Sequence, residues 1–515
     1  MDFITQLLSF IIFCPLFFAL FVLIFPKQFD SWMRPITFVQ TLVSLLLAIY
    51  LYTNFDGQIS DYQFVVNYPW LPDWGISYSL GIDGISLPLV MLTAFISPIA
   101  ILGTWPKLES LKNEKFFVIL LMALQSGMYG TFLSTDIFLF YFFWEVVLIP
   151  MFFLIGIWGG SERIYATVKF FIYTMVGSLL MLVAIFWMMS ASAKINGFYS
   201  ASFSELLTIN YPFINDGNWM TTFLSPQSLL FLAFALAFVI KVPMFPFHTW
   251  LPDAHVQAPT VGSVFLAAVL LKMGTYGLMR IALPFFPDAA FYYSHFFIAM
   301  GVFGIIYGAF CALAQSDFKK LVAYSSVSHM GYIVVGLFSF NKIAQAGSLY
   351  QMINHGISAG GLFLIVGFLY ERLHTRNLKE FGGLAKTVPL MAIAFMIMTL
   401  SSVALPGSNG FVGEFTILLG SFQNHPTFVF FAGTGVIFGA VYALKAYQMV
   451  MLGPITRNDT DHLHDLNLKE FIAMLILTIF VFGIGFFPKT FFGKSDATLE
   501  VYSNRLMEKV GQNAN

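Results

Sequence analysis

The sequence predicts an all-α polytopic membrane protein with about fourteen transmembrane helices. Three observations lead there. Of 515 residues, 58% are hydrophobic and 10% are charged, whereas a soluble domain carries about 25% charged residues. Aromatic residues make up 18%, with 62 Phe among them, and mean hydropathy is +0.80. The apolar residues also gather into runs of roughly twenty, the length that crosses a hydrocarbon core of about 30 Å as helix.

In chain order the runs fall near residues 3–25, 32–52, 84–104, 116–133, 136–158, 165–189, 228–249 and 258–283. They continue near 295–314, 320–339, 343–370, 388–422, 427–452 and 469–487. The first run exceeds a signal-peptide core and lacks a basic leader, so it reads as a retained helix. The stretch 54–83, with Trp70, Pro72 and Trp74, reads as a cap packed at the membrane interface.

Basic residues fix the expected orientation. Connections after odd-numbered runs hold Lys27, Arg34, Lys107, Lys112, Lys115, Arg163, Lys319, Lys320, Arg372, Arg376, Lys379, Lys386 and Arg457. Those after even-numbered runs hold only Lys194, Arg280 and Lys342. The excess marks the first set as cytoplasmic, which puts both termini outside, on the periplasmic side of a bacterial inner membrane. A basic C-terminal tail with Lys489, Lys494, Arg505 and Lys509 opposes this assignment, but a tail made last weighs less than earlier loops. The net charge of −1 gives no basic stripe for nucleic acid. Cys14 and Cys311 lie in apolar runs without ligand spacing, so a disulfide framework or iron–sulfur site is excluded. No phosphate-cradling loop, dinucleotide fingerprint or nucleophile elbow stands out.

Several ionisable side chains remain inside the runs: Glu145, Lys169, Lys241, Lys272, Glu414 and Lys445. Each central charge costs about 2.5–3.5 kcal/mol on insertion scales. Together they would outweigh the typical net stability of a fold, about 5–15 kcal/mol. They must face protein or water. At about 1.5 Å per residue, Glu145, Lys241, Lys272, His329 and His355 all fall near mid-depth, forming a lateral row. Two runs are also broken. Pro243 and Pro246 follow Lys241, and Leu405-Pro406-Gly407-Ser408-Asn409-Gly410 precedes Glu414. Proline removes a helix hydrogen bond and clashes with the preceding turn. Irregular backbone at that depth survives only in protein or beside a wet cavity, and paired breaks in two halves point to a transport site.

A buried lysine gains or loses its proton as a carboxylate approaches or recedes, and histidine titrates near neutrality. This set can therefore pass protons. Structural readings stand beside the functional ones. Glu145, next to Trp144, could neutralise a buried lysine, and His329 and His355 could be interhelical hydrogen-bond partners. Lys169 and Lys445 read as packing or snorkelling residues. His248 and His255 flank Trp250-Leu251-Pro252 and could face the cytoplasmic mouth, with poor spacing for a metal. The cluster Asp461-His462-Leu463-His464-Asp465 reads as a solvated loop.

KVPMFPFHTWLPDAHVQAPT at 241–260, LLKMGTYG at 270–277 and SDFKKLVAYSSVSHMGY at 316–332 resemble the antiporter-like subunits of respiratory complex I, a family shared with Mrp-type cation/proton antiporters. Glu414 in GFVGEF sides with the M branch (mitochondrial chain 4 type), because the L and N branches and the Mrp relatives usually carry lysine there. The resemblance implies two inverted five-helix units with discontinuous helices 7 and 12. It divides the chain into three leading helices with the cap (1–115), a first unit (116–283), a second unit (295–452) and a last helix with tail (453–515). It also implies roles: Glu145 modulates Lys241, Lys272 links the units, His329 and His355 continue the axis, and Glu414 ends it.

The expected function is proton translocation by a membrane-arm subunit of NADH:quinone oxidoreductase. NADH, FMN, iron–sulfur clusters and quinone would be bound by partner subunits, and chains of the L and N types would be membrane-arm neighbours. A subunit of an Mrp-type antiporter or of a membrane-bound hydrogenase is the nearest alternative. A passive membrane-arm scaffold, keeping its charges for helix specificity, is another.

Overall fold

The computed structural model describes residues 3–26, 32–105, 113–455 and 463–513. Lys27, Lys107, Lys112, Arg457, Asp461 and His462 lie outside the described residues. The chain is mostly helical. Its principal helices begin with α1 (Phe3–Ile24), α2 (Met33–Asn54), α3 (Ser86–Gly103), α4 (Glu114–Leu133), α5 (Ile137–Trp158) and α6 (Arg163–Asn196). They continue with α7 (Pro226–Lys241), α8 (Trp250–Gln257), α9 (Thr260–Phe285), α10 (Ser294–Leu313), α11 (Phe318–Phe338) and α12 (Lys342–Leu373). The last are α13 (Pro389–Ser402), α14 (Asn409–Asn424), α15 (Pro426–Met451), α16 (Leu468–Phe486) and α17 (Asp496–Asn513). Among the described residues, twelve helices are long and apolar enough to cross a membrane; α7 and α13 are apolar but shorter. The protein is a multi-span membrane protein.

Caps set many boundaries. Asp136, Asp317, Asn341 and Asn467 each accept a first-turn backbone N–H, satisfying donors that a helix start otherwise leaves open. The core is built on α9 and α12, buried along their whole apolar length, and on α11, nearly so. Outer helices turn apolar faces outward, with Phe430 71% and Val183 67% exposed. An unpartnered apolar belt of this kind is what lipid or neighbouring membrane subunits cover.

Two segments depart from the helical expectation. The cap carries an antiparallel hairpin, β1 (Gln63–Leu71) and β2 (Ile76–Ile82), so the all-α reading lacks one small sheet. The C-terminal tail is the helix α17. Beside it, Lys494 donates to the carbonyls of Tyr52 and Phe55, at 2.5 and 2.8 Å. Thr498 Oγ1 accepts from Gly84 N, and Ser503 donates to Gln345 on α12. The tail thus straps the cap to the centre of the bundle.

Both expected breaks are present. α7 ends at Lys241 and helix resumes at Trp250, whose indole N–H donates to Ile240 O at 2.8 Å and holds the two pieces together. α13 ends at Ser402 and α14 begins at Asn409. The charge ends the helix before one break, at Lys241, and follows the other, at Glu414 on α14, as the sequence reading expects.

Candidate functional site

Close helix contacts bring the ionisable groups together. Glycine allows two of them. A Cβ at Gly274 would stand 2.8 Å from Phe238 O, and one at Gly356 would stand 2.9 Å from Ala268 O. Backbone approach of that kind needs a residue without a side chain. It presses α7 and α12 against α9 on either side of Lys272.

Four of the six expected residues then form two short links. Lys272 Nζ lies 2.6 Å from His355 Nδ1 and donates to Ala267 O at 2.6 Å. His329 Nδ1 lies 2.6 Å from Glu414 Oε1. All four side chains are buried. An ammonium and an imidazolium cannot both point a proton at the same contact. In the Lys272–His355 contact the lysine nitrogen can donate and His355 Nδ1 accept. Gln351 also donates to Glu414 Oε1 at 2.9 Å, and Ser402 Oγ lies 3.1 Å from His329 Nε2.

The rings of His355 and His329 are 5.6 Å apart between centroids. Beside them lies a cavity of about 10 Å³ lined by Ser325, His329, Gln351, His355 and Ser358. That is about the room one water molecule requires. His355 Nε2, buried, has no hydrogen-bond partner. The break before α14 closes this region. Ser358 and Ser401 lie 2.5 Å apart, Ser401 donates to Asn409 Oδ1, and Asn409 donates to Asn354 O at 3.2 Å.

The surroundings of Lys241 are built differently. Lys241 is buried, and its Nζ stands 3.8 Å over the Trp144 ring, a cation–π contact. Glu145 interacts with it electrostatically but makes no ion pair with it. Glu145 is only partly buried, on a flank where Phe142 and Ile149 are 42% and 56% exposed. Of the six expected residues, it is the one placed at the edge of the chain.

Other assignments change. Lys169 pairs with Asp253 at 2.8 Å, in line with a packing role. His248 and His255, expected toward the cytoplasmic mouth, are both buried. His248 lies against Tyr307, and His255 stacks on Phe363 with centroids 4.4 Å apart. Neither imidazole has a hydrogen-bond partner. Lys319, expected in a loop, is buried and donates to Ala258 O at 2.6 Å. It lines a cleft of about 390 Å³ with Gln257, Glu371 and Arg376, on the side away from the hairpin.

Comparison with known proteins places this arrangement in a family. Residues 134–439 match the model described as "NADH:quinone oxidoreductase/Mrp antiporter, TM", and residues 7–131 match "NADH-ubiquinone oxidoreductase chain 4, amino terminus". NADH-quinone oxidoreductase subunit M of Rickettsia prowazekii is 43% identical over 483 residues, covering 93% of this chain and 95% of that protein. The Escherichia coli subunit M is 39% identical over 488 residues, covering 92% of each. A chain of respiratory complex I from Thermus thermophilus superposes with a TM-score of 0.85 at 29% identity, over 97% of this chain and 99% of that one. A chain of the Mrp complex from Dietzia, at 19% identity and a TM-score of 0.82, shares the fold. A buried file of lysine, histidine and glutamate, on helices of this order, accompanies full-length similarity to both halves, and the chain belongs to the subunit M family of NADH-quinone oxidoreductases, antiporter-like membrane subunits of respiratory complex I.

Proposed function

We propose that this chain translocates protons within the membrane arm of an NADH:quinone oxidoreductase, through Glu145, Lys241, Lys272, His355, His329 and Glu414. The contact series Lys272–His355, His329–Glu414, with a one-water gap between the imidazoles, carries this reading. Each link holds a proton that can shift between its two partners, and a bridging water would let the links exchange. Lys241 and Glu145 form the other half of the switch. When the carboxylate is near, the lysine keeps its proton; when it recedes, the lysine releases it.

In this reading α7 with α8, and α13 with α14, each complete one crossing, giving fourteen spans in two inverted five-helix units, 116–283 and 295–452. The hairpin side and both termini face the periplasm. Glu145, on an exposed apolar flank, faces the neighbouring membrane subunit, of the L or N type. The cleft at Lys319 takes up protons from the cytoplasm and passes them by way of His255 toward Lys272. NADH, FMN, iron–sulfur clusters and quinone stay with partner subunits, and this chain answers their chemistry electrostatically.

The test is the Glu145→Ala, Lys241→Ala double variant of the assembled enzyme in proteoliposomes. The expected outcome is intact NADH oxidation with an artificial acceptor and a strong loss of proton pumping. Normal pumping would remove both residues from the mechanism. Copurification separates the antiporter alternative, because NADH-oxidising subunits accompany the chain only in the oxidoreductase.

A further inference from the structure

His329 has a neighbour that the relay leaves unused. Tyr442, on α15, is buried, and its hydroxyl lies 3.3 Å from His329 Nε2. Ser402 Oγ lies 3.1 Å from the same nitrogen. A carboxylate only accepts, so the neutral His329 ring donates its one hydrogen to Glu414 through Nδ1 and keeps Nε2 as an acceptor. Two hydroxyls therefore meet the nitrogen that can receive a proton.

Tyr442 also forms part of the wall of an open cleft of about 250 Å³. The cleft lies where the α10–α11 and α12–α13 connections meet, on the same side as Lys319 and away from the hairpin. Lys445 and Met449 line it too, and at spacings of three and seven they share one face of α15 with Tyr442. Lys445, Lys379 and Ser316 are exposed there, so the cleft is wet. A smaller void of about 10 Å³, the room of about one water, is lined by Ser325, Thr399, Ser402 and Tyr442. It shares Tyr442 and Ala446 with the cleft, and Ser325 and Ser402 with the cavity beside the two imidazoles. From the cleft to His329, hydroxyl side chains and small voids thus follow in series. Among the described residues neither the cleft nor this void is lined by a carboxylate, and a passage one water wide does not admit a hydrated cation. The cargo that fits is a proton.

Resting on the relay reading above, we propose that Tyr442 is a proton-transfer residue of His329 and the inner end of an inlet separate from the cleft at Lys319. The Tyr442 O–H bond breaks as its proton bonds to His329 Nε2, while the Nδ1 proton passes to Glu414 Oε1. The Tyr442 oxygen takes a replacement proton from water in the small void, which the cleft resupplies. The net change is one proton moved from cleft water to the Glu414 carboxyl, with His329 left in its other neutral tautomer.

The test measures proton pumping by the assembled oxidoreductase in proteoliposomes, with NADH oxidation by an artificial acceptor as the control on integrity. Tyr442→Phe keeps the ring and deletes the hydroxyl, and flux is expected to fall roughly fivefold, the weight of one neutral hydrogen bond. Ala314→Trp fills the cleft from an exposed position outside the relay and is expected to lower flux to a similar extent. Together the two lower it no further, because they cut one route, whereas separate packing defects add. Lys272→Met distinguishes the inlet from the relay it feeds. Flux lost in Lys272→Met but normal in Tyr442→Phe or in Ala314→Trp overturns the inlet alone, and so do additive losses. Normal flux in Lys272→Met overturns the relay and the inlet with it. Should Tyr442→Phe fail to assemble, Ala314→Trp decides by itself.

Discussion

The two halves of the bundle hold their charges in opposite ways. On the C-terminal side Glu414 is tied down by His329 and Gln351, and every member touches the next through a hydrogen bond or a one-water cavity. On the N-terminal side Lys241 rests on an indole face, and its carboxylate partner stands off at the edge of the chain. A hydrogen-bonded acid is held at one place and one geometry. A cation over an aromatic ring is stabilised without a directional bond, at roughly 0.5–2 kcal/mol. In the proposed mechanism the arrangement at Lys241 answers a moving charge, and that at Glu414 relays what is delivered to it. Two similarly interrupted helices thus hold their charges differently, one tethered by hydrogen bonds and one not.

The sharpest way to break this contrast is Lys272→Met, which removes the group shared by both halves. Pumping should fall by roughly a hundredfold, the scale of a lost proton-transfer group, while the enzyme still assembles and NADH oxidation with an artificial acceptor persists. If pumping stays intact and only stability changes, the scaffold reading replaces the relay. Next in size, Glu414→Gln keeps the shape but loses a charge-assisted bond to His329. Proton flux measured by a pH-sensitive dye should drop roughly tenfold.

Glu145→Gln should do less, because no bond is broken. A fall of roughly fivefold in flux, the weight of one charge acting across a gap, is expected, with a changed pH profile of turnover. An effect equal to that of Glu414→Gln would show that the first unit is tethered too. Smallest for transport is Glu470→Gln. It breaks the Arg372–Glu470 pair, where Arg372 Nη2 lies 2.6 Å from Glu470 Oε2, outside the relay. Thermal unfolding should show a loss of about 3 kcal/mol, with flux per assembled complex unchanged.

Much of this was legible in the sequence, for identifiable reasons. Hydropathy runs set most helix edges within a few residues, because a membrane span tolerates little else, although α6 runs on past its expected end to Asn196. Pro243, Pro246 and the Pro406-Gly407 pair marked the interruptions by removing donors and side chains. What stayed hidden depends on contacts between distant positions. Nothing near Lys272 announces that residue 355, 83 places on, will meet it. Lys319 was counted with its loop, since hydropathy cannot tell a lysine that turns inward from its neighbour Lys320. The hairpin escaped because its first strand carries Asn67 and Pro69 among its apolar residues and the turn through Pro72 and Gly75 also reads as irregular cap.

The helix carrying Lys272 is not regular. From Leu266 to Leu270 it widens, so that the Leu271 amide reaches back five residues to Leu266 O, and Lys272 Nζ rests on Ala267 O, a carbonyl of that same loosened turn. A wide turn is an ordinary coil with one residue inserted. Deleting a single residue there would restore the tighter winding and re-engage the backbone oxygens along the axis. The lysine's second acceptor would be lost with no titratable side chain changed. How firmly the ammonium waits for its imidazole is thus written into the winding of the main chain, where no survey of charged residues would look for it.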